Sequence, residues 1–171
     1  MRKVLAGLAA DPNLAPAAGV WSPVLSDLSP HQAPVAGVAD LYDLAAEPDA
    51  RPRVEVAERV VVDGPHGPIR LAYFITRRDG MSSEEFSRHW SDIHTTFVRQ
   101  IPGLLRYVQS ETVEHSSDRS SYDGVAELWW PDAATYRRDM AGDAVRASYR
   151  DERNFIDHSL ALALVTGWPT R

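Results

Sequence analysis

From about residue 70 onward the chain switches between two hydrophobic periods. Leu71–Arg77 (LAYFITR) is rich in aromatic and β-branched residues, which predicts a strand. Arg78-Asp79-Gly80 is a turn. Ser82 or Ser83 then caps a helix: Ser82 and Glu85 have the capping-box spacing, and Glu84 and Glu85 put negative charge where the helix dipole favours it. Phe86, Trp90, Ile93 and Phe97 recur at steps of four, three and four, giving one apolar face. Pro102-Gly103 ends the helix. Leu104–Val113 is a second strand, a polar loop runs to Gly124, and Val125–Trp130 is a third strand ending at Pro131. Asp132 caps a second helix reaching about Ala147, Tyr149–Ser159 forms a turn or short helix, and Leu160–Trp168 is the last strand. The order β-α-β-β-α-β is that of a ferredoxin-like α+β domain. Such a sheet carries helices on one face only, so its other face needs a cover.

The first seventy residues are dominated by Ala, Pro and Gly and show no long helical period. Within them Val35–Ala46 (VAGVADLYDLAA) echoes Tyr122–Ala134 (YDGVAELWWPDAA). Gly37 answers Gly124, Val38 Val125, Ala39 Ala126, Asp40 Glu127 and Leu41 Leu128, each pair 87 residues apart. The flanking segments Pro12–Leu25 and Arg53–Gly64 stand in the matching order. This reads as a degenerate internal repeat, with a partial ferredoxin-like copy over residues 1–67 and a complete domain over 68–171. Met1 would fall inside the first helix of the first copy, leaving that copy without its opening strand. Only Asp43–Pro52 separates its later strands, so its second helix would be missing too. Two sheets in one chain could cover each other's open faces. An incomplete copy leaves a sheet edge or face uncovered, which predicts a homodimer.

Composition narrows the function classes. The chain has 171 residues, 44% of them apolar, enough for a packed core. Its net charge is −6 without a Lys/Arg cluster, so no nucleic-acid partner is expected. Cysteine is absent, which removes disulfides and thiolate chemistry. No apolar run has bilayer length, so no membrane partner is expected. Met1–Gly19 has a basic start and a small apolar stretch, but Asp11 and Pro12 end it early for a signal peptide; the expected compartment is the cytoplasm. There is no phosphate loop, dinucleotide fingerprint or nucleophile elbow, and no cofactor is expected.

The candidate chemistry centres on His89 and His94. On an ideal helix they flank the apolar stripe on opposite sides, about 140° apart, too divergent to share a metal; none is expected. Each is either a packing histidine or an acid/base near neutral pH. Trp90 and Phe97 share the stripe and are candidate pocket residues. Tyr73 and Tyr107 could donate to a developing oxyanion or sit packed with hydroxyls at the rim. Trp129 and Trp130 either line an aromatic pocket or fill the core. Glu127, in the middle of an apolar strand, must meet a partner or a wet cavity, and Asp40 at the matching place suggests a recurring structural partner. Asp157, ahead of His158, suits a turn. His31, His66 and His115 lie in loops and are expected to be solvated.

Four separated blocks carry a family resemblance: His89-Trp90-x-x-x-His94, Pro102-Gly103-Leu104, Asp123–Trp129, and Asp151-Glu152-x-x-Phe155-x-Asp157. Together, across Leu71–Trp168, they resemble the EthD family. The resemblance implies a dimeric α+β barrel, in which two ferredoxin-like sheets pack face to face, between chains or between repeats. Relatives include cofactor-free cyclases, decarboxylases, isomerases and oxygenases of polyketide and aromatic metabolism. It makes His94 the candidate catalytic acid/base and puts His89 at a commonly basic position. Many members follow that histidine with Ala or Gly and then Pro, where this chain has Thr95-Thr96. The expected function is proton transfer by His94 on a small hydrophobic or aromatic substrate, without cofactor. The alternatives are a cofactor-free oxidoreductase, or an accessory to one, and a non-catalytic ligand-binding module.

Overall fold

A computed structural model describes residues 3–8, 19–29, 35–42, 53–113 and 122–169. The first half supplies strands β1 (Lys3–Leu8), β2 (Gly19–Pro23), β3 (Gly37–Tyr42) and β4 (Arg53–Val62). The second supplies β5 (Ile69–Ile75), β6 (Arg106–Thr112), β7 (Gly124–Trp130) and β8 (Leu162–Gly167). Each of the four predicted strands of the second half is present, with its ends moved by a residue or two. All pairings are antiparallel, in the order β2-β3-β1-β4-β6-β7-β5-β8. The ends of this order meet: Val24 bridges Thr166, and the Leu25 N–H donates to the Val165 carbonyl. The sheet closes into an α+β barrel of ferredoxin-like halves within one chain. The uncovered sheet edge or face from which a homodimer was expected is therefore paired internally.

The first half has a strand where an opening strand was expected to be lacking. β1 lies between β3 and β4 just as β5 lies between β7 and β8. Lys3 pairs with Tyr42 and Arg70 with Trp129, and Tyr42 and Trp129 keep the 87-residue offset. The pattern missed β1 because KVLAGL carries a single β-branched residue and no polar–apolar alternation. Asp43–Pro52, the loop from Glu114, His31 and His115 lie outside the described residues. The echoed glycines share a cause. A Cβ on Gly37 would fall 2.5 Å from the Trp21 ring, and one on Gly124 2.7 Å from the Trp90 ring.

The barrel interior is apolar at Leu5, Val38, Val54, Val56, Phe74, Val125 and Leu164. It also holds four charges. Lys3 Nζ lies 3.1 Å from Asp40 and 2.8 Å from Glu127; Arg70 Nη1 lies 2.5 Å from Asp40 and 3.2 Å from Glu127. Each acid thus touches both cations. Burial opposes ionisation of Asp40, but Arg70 and Lys3 pull its carboxyl below the usual range. This is the recurring partner that Asp40 and Glu127 suggested.

Helices cover the outer face of the second half. The first runs as α1 (Ser83–Arg88), a π-helical turn at His89–His94, and α2 (Thr95–Val98). Its capping box forms as expected: Ser82 Oγ accepts from the Glu85 N–H, and Glu85 accepts from the Ser82 N–H. Gly80, at φ 76°, turns the chain before it. The predicted second helix is two: α3 (Ala133–Met140), capped by Asp132, and α4 (Asp143–Glu152), broken apart at Ala141-Gly142. α4 extends past Ala147 into residues expected to form a turn or short helix.

Candidate functional site

The π-turn decides the site. An i→i+5 turn adds one residue to the helical repeat and sets residues five apart one above the other. His89 and His94, expected on opposite sides, converge on one carboxylate. His89 Nε2 lies 3.0 Å from Asp151 Oδ1, and His94 Nδ1 lies 2.9 Å from Asp151 Oδ2. The added residue also rotates the apolar face: after Trp90 the buried helix positions are His94, Thr95 and Val98, while Ile93 is 47% exposed. His94 moves from the border of the stripe to 5% exposure. Phe155 packs against both imidazoles, 4.8 Å from His89 and 4.9 Å from His94.

Between these helices and the outer face of β5–β8 lies a cavity of about 360 Å³. Its wall is mostly apolar, from Leu71, Ile75, Trp90, Leu128, Trp130 and Ile156. Tyr73, His94 and Tyr107 also line it. The Tyr107 oxygen accepts from Trp90 Nε1 at 3.1 Å and from Gln109 Nε2 at 2.9 Å, which fixes the ring. Burial raises the Tyr107 and Tyr73 phenols well above their ordinary value.

Four sequence candidates lie elsewhere. His89 faces a shallow groove with Arg88 and Asn154. Phe97 is half-buried and outside the cavity wall, carried aside by the same rotation. Glu127 belongs to the barrel interior, where it also accepts from Ser110 Oγ. Trp129 points to that interior, because β7 alternates faces and is buried on both; its neighbour Trp130 faces the cavity. Trp129 and Trp168 flank His66, whose ring stacks on Trp168 at 4.8 Å while the residue stays exposed, as expected. Asp157 serves its turn, accepting from the Ser159 N–H and Oγ.

The cavity also holds polar residues that sequence reasoning passed over. Ser148 Oγ lies 3.5 Å from His94 Nε2. Tyr73 Oη lies 3.5 Å from Glu152 Oε2 and 3.4 Å from His158 Nδ1. Their signal was the spacing Ser148-x-x-Asp151-Glu152, which puts all three toward one side of a helix once α4 is drawn through Glu152.

Opposed forces set the protonation states. Burial lowers the pKa of His94 and outweighs the Asp151 carboxylate, which raises it. Burial tends to raise Asp151, but hydrogen bonds from His94, His89 and Asn154 bring it below its ordinary value. Glu152 is pushed up to about 8, by burial first and by Asp151 second, against the Tyr73 hydrogen bond. No cluster of three or more His, Cys, Asp or Glu residues that could hold a metal occurs among the described residues. No helix among them is long and apolar enough to cross a membrane.

A closed α+β barrel with a cavity between helices and sheet defines the class: the ferredoxin-like dimeric α+β barrel, here built from one chain. Residues 78–159, just under half of the chain, match the EthD domain model. Solved structures agree on the fold. An EthD family protein from Bacillus halodurans C-125 is 20% identical with a TM-score of 0.50, covering 60% of this chain and 98% of its own. A major regulator of staphylococcal pathogenesis is 8% identical with a TM-score of 0.62, covering 99% and 100%. An anthrone oxidase-like protein is 9% identical with a TM-score of 0.58, covering 99% and 91%. Comparison with the curated proteins gave no match.

Proposed function

We propose that this chain is a cofactor-independent enzyme that moves a proton on a small hydrophobic or aromatic substrate, of the type found in polyketide metabolism. His94 is the acid/base and Asp151 positions it. The reading rests on one observation: His94 lines the cavity while its Nδ1 is held at 2.9 Å by Asp151. With Nδ1–H donating to the carboxylate, the neutral ring offers its lone pair at Nε2. Burial keeps that ring neutral at pH 7, the state a general base requires. The apolar wall suits an aromatic body, and Tyr107, fixed by two donors, offers its own hydroxyl proton to a substrate oxygen.

The test is turnover of a panel of small aromatic ketones and polyketide-type thioesters by the wild type and by His94→Ala. The variant is expected to lose roughly 10²–10⁴-fold. Turnover unchanged in His94→Ala, in a folded variant, sinks the assignment. Tight binding of these compounds with no turnover by the wild type points to a binding module instead. The anthrone oxidase-like neighbour favours a second reading, in which the carbanion made by His94 reduces O₂. Oxygen uptake in step with substrate loss separates the two.

A further inference from the structure

The polar groups of the cavity wall form two clusters. One is His94 with Asp151 and Ser148. The other is Tyr73, Glu152 and His158, in which His158 Nε2 stands 3.7 Å from Glu152 Oε2 and has no hydrogen-bond partner among the described residues. α4 sets the distance between them. Ser148, in contact with His94 Nε2, and Glu152 are four residues apart, just over one helical turn or about 6 Å along the axis. Both clusters open into the same cavity, with apolar Leu71, Leu128 and Ile156 around it.

We infer that the Tyr73–Glu152–His158 cluster binds a carbonyl oxygen, and that the substrate is an apolar or aromatic ketone whose α C–H faces His94. This rests on His94 being the base. The reaction it assigns is a proton shift. His94 Nε2 takes the α proton, the C–H electron pair becomes a C=C bond, and the carbonyl π pair moves to oxygen. That oxygen takes a proton from Glu152, giving the enol and a carboxylate. Return of the two protons, the carbon-bound one to the same or a conjugated carbon, completes exchange or isomerisation. No oxidant or second substrate enters.

The surroundings of Glu152 keep it in the donating form. The titratable groups around it are Tyr73 from β5, Tyr107 from β6, Asp151 from α4, and His158 ahead of β8. Burial and the nearby Arg153 lower the pKa of His158, so it is neutral at pH 7 and supplies no cation. Glu152 therefore keeps its proton up to about pH 8, while His94 gives up its own below the ordinary histidine value. Environments that push two titratable groups apart are how one site runs acid and base chemistry together. Ser148, His94 and Asp151 stand in the order of a nucleophilic triad. Ser148, however, is in the body of α4, whose N–H groups are spent in the helix, so no oxyanion donors flank it.

The probe is 2-tetralone, a bicyclic aromatic ketone. Its carbonyl stretch, read by infrared difference spectroscopy, reports the oxygen site without turnover. Its α-deuteration in D₂O, read by NMR, reports the proton transfer. The bound carbonyl should be shifted to lower frequency in the wild type and equally in His94→Ala. The shift should be lost in Glu152→Leu, reduced in Tyr73→Phe, and lost in the wild type as pH rises through about 8. Exchange should fall roughly 10²–10³-fold in Glu152→Leu, the usual cost of one oxyanion donor. No binding of 2-tetralone, or a carbonyl band that Glu152→Leu and Tyr73→Phe both leave unchanged, overturns the inference. A lost band shift in Glu152→Leu with exchange that His94→Ala leaves intact keeps the oxygen site but overturns His94 as the base.

Discussion

Glu127 and Glu152 are both glutamates taken out of water, on opposite sides of one sheet. Glu127 sits inside the barrel with two cations, Lys3 at 2.8 Å and Arg70 at 3.2 Å. Glu152 sits in the helix-side cavity with a phenol and a neutral imidazole. Burial tends to raise both carboxyls. Inside the barrel Lys3 and Arg70 oppose that rise, although burial and Asp40 still hold Glu127 above its ordinary value. In the cavity no cation among the described residues opposes it, only the Tyr73 hydrogen bond, and the carboxyl stays protonated. A buried acid with matched countercharge fastens structure together, whereas one without it holds a proton that chemistry can use.

The largest effect should come from breaking the matched set. Arg70→Met strands Asp40 and Glu127 beside a single cation, and urea denaturation should show a loss of about 3–5 kcal/mol. Glu152→Gln, removing a largely buried acid that is already neutral, should cost less than about 1 kcal/mol at pH 6 by the same measurement. Equal losses would erase the contrast.

The second test uses pH. Below about 4.5 both folded and unfolded states hold the Glu152 proton; between 4.5 and about 8 only the folded state does. Stability should therefore fall as pH rises through that window, by on the order of a few kcal/mol, and be lowest above pH 8. Denaturation at pH 5 and pH 8 should show this slope in the wild type and not in Glu152→Gln. Asp40 works the other way: its carboxyl is lowered, so its contribution is present above pH 4 and lost as acid titrates it.

Smaller effects probe the shared carboxylate. Asp151→Asn should lower turnover about 10–100-fold, the worth of a hydrogen bond to a charged group. In the wild type, activity should fall as pH drops through the His94 value, with an inflection below 6.5. His89→Ala removes a ring outside the cavity and should change turnover least, by less than about tenfold.

The sequence made the strand order of the second half plain, because aromatic and β-branched runs alternate there with capped helices. Asp40 and Glu127 were legible as a repeated pair, although Lys3 could not be matched to Arg70 while β1 went unread. The site was half legible. His94 stood out as a helix histidine, but its neighbours did not follow from a 100° step, because a π-turn inserts a residue without any composition signal. Glu152 was hidden because the helical pattern fades at about Ala147 and the residues beyond it looked like a turn or short helix, whereas α4 runs on to Glu152. Trp129 and Trp130 are both buried, so burial alone could not say which one faces the cavity.

One consequence follows from the bridge between Val24 and Thr166. A barrel assembled from two separate chains obeys mass action: dilution dissolves it, and its melting point depends on how much protein is present. Here both staves of the cask belong to a single covalent thread, and closing it is a first-order event. The cavity beside it should therefore survive dilution to any level at which an enzyme is assayed.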